Sequence, residues 1–172
     1  RPSMLRRNRL TPRPSGRLRR RLTQALGVTG EISVFWKKKP DLAKVRAEQT
    51  KMAAGLLSAA RLQFPQLSRL HQALVGTFLF GMLHADGAIR GLEPAQIHAL
   101  ALIVFAETFD YSSELNAQAV QECINATSPG YHDTMNAVIH RGIDGHRQYC
   151  QGQLSTLGEN LRSILAHFEG GA

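Results

Sequence analysis

The sequence predicts an all-α protein: a single helical domain of five or six helices around a central antiparallel hairpin, preceded by a disordered basic arm. Three observations carry this reading. After residue 40, apolar residues recur at steps of three and four along most of the chain, the spacing that lines one face of a helix. No run alternates with a period of two, so strands have no signal. Two strongly apolar runs, residues 73–83 and 97–109, flank a polar segment in the middle of the chain.

Charge is unevenly placed. Of 21 Lys and Arg, 12 fall in residues 1–40 against a single acid, Glu31, whereas residues 41–172 hold the other 9 against 12 acids. The net charge of +8 and the pI of about 10.2 therefore describe the arm, and the expected folded part is mildly acidic. A basic arm supports only non-specific attraction to polyanions or membranes, so nucleic acid is not an expected partner except non-specifically through residues 1–40. Residues 1–40 are read as a disordered basic arm or a non-native leader. Their Arg-rich composition also matches an organellar transit peptide, and they lack the apolar core of a secretory signal. Within them, the patch at Phe35 and Trp36 either tucks against the domain edge or makes an aromatic and basic surface contact. His84, Asp86 and Arg90 interrupt the apolar runs well short of the roughly 18–20 residues a membrane helix needs, so no membrane is expected. Cys123 and Cys150 form no CxxC and have no partner at metal spacing, which suits two reduced, buried thiols in a cytoplasmic protein, a disulfide between them being the alternative. No cofactor is expected.

The elements follow in order over residues 41–169. Asp41 after Pro40 is a good helix cap, and Leu42, Val45, Gln49, Met52 and Leu56 continue a first helix that ends near Phe64-Pro65. Leu70, Leu74, Val75, Phe78, Leu79, Met82 and Leu83 form the stripe of the next, with Gly76 and Phe80 off it, so this helix is apolar on most sides and central. Asp86-Gly87 is a turn signal. Glu93-Pro94, with Gln96, opens the following helix, where Ile97, Leu100, Ala101, Val104, Phe105 and Thr108 make the buried stripe. Ser112 or its neighbours cap a shorter helix carrying Leu115, Ala119, Val120, Cys123 and Ile124, and Ser128-Pro129 is the expected start of the next. The last forty residues keep helical spacing but contain Gly142, Gly145, Gly152 and Gly158, each about 1 kcal/mol worse than Ala in a helix. Either one long helix survives through packing or it breaks near Gly152 to Gly158.

A catalytic reading would start from His84, Asp86 and Glu93, or from His132, Asp133, His140, Asp144 and His146. His140 and Asp144 share a helix face, and Arg141 with Asp144 is an i,i+3 ion pair in prospect. The sequence has no HExxH, P-loop or GxSxG, and Ala88 and Arg90 stand where a calcium loop requires oxygens. A non-catalytic protein is expected.

The bend itself, His84-Ala-Asp-Gly with Glu93 seven residues beyond Asp86, resembles an element of the tellurite-resistance TerB-like helical family. That resemblance implies metal binding through Asp86, Glu93 and His84; Arg90 departs from the family's pattern of a polar or acidic residue there. The plainer reading is that Asp86 caps the turn and Glu93 satisfies a helix N-terminus. Over residues 67–168, the text around Gly81-Met-Leu-His-Ala-Asp-Gly-Ala and Leu92-Glu-Pro-Ala-Gln-Ile-His-Ala-Leu, with the helical tail, resembles all-helical immunity proteins encoded beside bacterial polymorphic toxins. This second resemblance implies a cytoplasmic protein that blocks a cognate protein toxin by occupying its surface. An acidic body would suit a basic nuclease toxin, because complementary charge speeds association. Glu107, Asp110, Glu114 and Glu122 are the candidate partner-binding residues, each alternatively part of a solvated helix face.

Overall fold

A computed structural model describes residues 40–169. The basic arm expected over residues 1–40, Pro40 excepted, and the patch at Phe35 and Trp36 lie outside the described residues. Six α-helices follow one another: α1 (Leu42–Ala60), α2 (Arg69–Ile89), α3 (Pro94–Phe109), α4 (Ser113–Ala126), α5 (Asp133–Cys150) and α6 (Leu154–Glu169), with a 3₁₀ turn, Phe64–Gln66, between α1 and α2. No strand occurs among the described residues, and no helix there is long and apolar enough to cross a membrane.

The helix starts follow from short polar side chains that satisfy otherwise unpaired N–H groups. Asp41 accepts from the N–H groups of Ala43 and Lys44, Ser68 from His71, and Ser112 from Leu115. At α3 the backbone N–H of Glu93 donates to Gln96 Oε1 at 3.0 Å, with Pro94 in the first turn. The start of α5 departs from expectation. Residues 128–131 turn without forming a helix, and His132 caps it instead, its Nδ1 accepting from Met135 N–H at 3.3 Å. The tail is two helices, because Gly152 takes a left-handed φ of 71° that ends α5 and turns the chain into α6.

α2 is the central element: residues 74–83 are buried without interruption. Its most extensive contact is with α5, while α6 packs on α1. Small residues permit both approaches. A Cβ at Gly81 would collide with the carbonyl of Ile139, one at Gly142 with the carbonyl of Phe78, and one at Gly158 with the carbonyl of Ala59. Leu70 is 52% exposed, so the stripe of α2 begins at Leu74. At the other end the expected turn at Asp86-Gly87 does not form, and the helix runs on to Ile89. Gly87 is needed there for proximity: a Cβ would come within 2.6 Å of Ile97 Cγ1 on α3. Asp86 bonds Arg90 one turn on, which favours continuation of the helix over its own local turn.

Candidate functional site

Because α2 continues through Asp86, residues 84 and 86 are about 200° apart around its axis, at 100° per residue, and point to opposite sides. His84 goes to the α3 side, its ring 6.2 Å from that of Phe80, which in turn faces His98 at 6.4 Å. Burial, and then the neighbouring His84, push the His98 imidazole below its ordinary range. Glu93 sits at the start of α3. The structure therefore does not bring His84, Asp86 and Glu93 to a common point. Among the described residues no group of three or more His, Cys, Asp or Glu stands where it could hold a metal ion.

Asp86 instead lies at the meeting of α1, α2 and α5. Arg90 Nε donates to both its oxygens, at 2.9 and 2.8 Å, and Gln49 Nε2 donates to Oδ2 at 3.0 Å. His146 Nε2 lies 3.5 Å from Oδ1, and the same nitrogen is 3.5 Å from the Cys150 sulfur. Arg90 reaches outward to Glu48, Nη1 to Oε2 at 2.7 Å. Burial pushes the Asp86 carboxyl up, but hydrogen bonds from His146, Gln49 and Arg90, with the charge of Arg90, outweigh it and hold the group below the usual carboxylate range. The cluster is a tie between three helices. Its Asp86–Arg90 pair has the i,i+4 spacing that a helix reading of this stretch would have found. Gln49 and His146 are 37 and 60 positions away from Asp86 and carry no local signal. Cys150 beside His146 does not form a catalytic relay, because a single ring nitrogen faces both the sulfur and the carboxylate, whereas a relay uses the two nitrogens separately.

The four acidic candidates are placed as follows. Glu107 is held by Arg46 and by Thr50 Oγ1, the latter at 2.7 Å, so it joins α3 to α1. Asp110 ends α3 in a left-handed conformation, φ 53°, and is exposed. Glu114 is exposed in the first turn of α4. Glu122, half-buried on the same helix, accepts from the Tyr131 hydroxyl at 2.8 Å. Asp144 pairs with Arg147 rather than with Arg141.

Glu122 also borders a hollow between α2 and α4 that Tyr111, Phe105 and Met135 help to line. A six-helix body with a neutralised polar tie inside and acidic side chains on α3 and α4 is compatible with many roles. Among family models, the one described as immunity protein 48 matches residues 48–169. The chain belongs to the immunity protein 48 family. This is an immunity-protein family of toxin systems, and the match takes in the greater part of α1 and all of α2 to α6, so the polar tie and the acidic α3–α4 surface both lie within the immunity protein 48 region. No curated protein and no solved structure matches the chain.

Proposed function

We propose that this chain is a non-catalytic immunity protein that binds a cognate bacterial toxin in the cytoplasm and neutralises it by covering its surface. The observation that carries the reading is the immunity protein 48 match over residues 48–169. The polar chemistry is in keeping with it. The buried carboxylate, Asp86, is already bonded by Arg90 and Gln49 and held in its charged form, which suits a structural tie better than a proton carrier.

The toxin would be the variable C-terminal domain of a large secreted protein encoded beside this gene. Co-expression of that domain with this chain should restore growth of a host that the domain alone kills, and the two should elute as one complex from a sizing column. Killing that persists at equal expression, with the two proteins eluting apart, would refute the reading.

A further inference from the structure

The hollow between α2 and α4 has the form of a helix seat. Its volume is about 560 Å³, more than a single side chain fills. One wall runs from Arg69 to Thr77 on α2 and the other from Leu115 to Cys123 on α4. Each wall presents residues at i, i+3, i+4, i+7 and i+8, a single face about 12 Å long at 1.5 Å per residue. Two helix faces set side by side over two turns form the trough into which ridges of a third helix pack. Three of the lining residues, Ala73, Gly76 and Ala119, are small and leave space that longer side chains would take, and Phe105 of α3 lines the hollow with them. Leu115 stands in it 47% exposed.

The chemistry around the trough states what its occupant carries. Between Arg90 and Arg141 the chain has six acidic residues and no Lys or Arg, and this stretch includes all of α4. Arg69 is the single cation among the lining residues and Glu122 lies among them too, so the lips cancel and the α4 side stays negative. We infer that this trough is the docking site for a two-turn amphipathic helix of a cationic partner protein, its apolar residues at i, i+3 or i+4 and i+7 seated between α2 and α4 and flanked by Lys or Arg facing Glu114 and Glu122. Helix-in-groove recognition reads such anchors, and charge of opposite sign raises the rate of encounter. The inference rests on the proposed immunity function and names the surface that performs it.

The test uses the full chain and the adjacent-encoded toxin domain as probe, with affinity and association rate measured by biolayer interferometry. Ala119→Trp, which fills the trough, should weaken binding at least 100-fold. The exposed pair Glu114→Lys with Gln118→Lys should slow association about tenfold and flatten its salt dependence. Ser58→Trp on the exposed side of α1 should change neither. Circular dichroism reports whether Ala119→Trp stays folded; the exposed pair decides if it does not. Unchanged binding by the variants, with wild type binding tightly, overturns the trough and leaves the immunity reading standing. No binding and no protection by wild type overturns both. A wild-type dimer that Ala119→Trp converts to monomer assigns the trough to a second copy of this chain and also overturns the inference.

Discussion

Gly81 of α2 and Gly142 of α5 face each other where the two helices meet, so near that a Cβ on either would stand 3.1 Å from the other's Cα and would also strike a backbone carbonyl. Backbone cannot yield as a flexible side chain can, so the contact accepts hydrogen alone at both positions. Gly142→Val is expected to lower the unfolding free energy by about 1–3 kcal/mol, the range of core overpacking, despite the helix propensity gained on leaving glycine. Thermal denaturation of the single variants and of the Gly81→Ala, Gly142→Ala pair would check this. The pair should cost less than the two singles together, since one helix displacement relieves both clashes.

The tie at Asp86 gives a pH signature. Its carboxyl lies below the ordinary range in the folded protein and near 3.9 in the unfolded chain, so the folded state holds the proton less tightly. Its stabilisation is complete above the unfolded value and is lost as pH falls through the folded one. Urea midpoints for wild type and Asp86→Asn, measured from about pH 6 down to about pH 2.5, should converge at the acid end. Arg90→Met at neutral pH leaves the carboxylate without its cation and should cost about 1–3 kcal/mol.

The two cysteines should differ sharply in reactivity. Cys123 is 2% exposed on the inner face of α4, its sulfur 3.9 Å from Thr77 Oγ1, and burial pushes its thiol up to about 12. Cys150, expected to be buried, is instead free and exposed, because it closes the last turn of α5. A thiol reagent on the reduced native protein should label Cys150 alone, and Cys150→Ser should abolish the fast reaction. Denaturant should release the second thiol. Rapid labelling of Cys123 in native protein would contradict its burial.

Arg61 ends α1 with φ 56° and ψ 41°, a left-handed conformation that costs an L residue about 1–2 kcal/mol. The geometry is held by Arg61 N–H donating to Ser58 and Leu62 N–H donating to Leu57, both at 3.0 Å. Arg61→Gly keeps both bonds and removes the Cβ penalty, partly offset by the entropy of the unfolded glycine. It should raise stability by roughly 0.5–1 kcal/mol, visible as a higher melting temperature.

Local structure could be read from the order of residues. Period-three-and-four apolar spacing, with Asp41, Ser112 and Glu93-Pro94 at helix starts, is enough to define an all-helical chain, because a helix closes its hydrogen bonds within its own turns. Family character was legible too, carried by the text around His84-Ala-Asp-Gly and Leu92-Glu-Pro. Which helices meet became visible in the folded chain. Asp86-Gly87 has the residues of a turn, yet Gly87 is packed under Ile97 and Asp86 is bonded by Arg90, Gln49 and His146, so the helix runs through. That continuation sends His84 and Asp86 to opposite sides of α2. Gly142, Gly145 and Gly158 look like weak points in a helix and serve instead as places where another element comes into contact. Such pairings join residues tens of positions apart, and the free energy that selects them is the burial of one helix against another, which no short window of sequence contains.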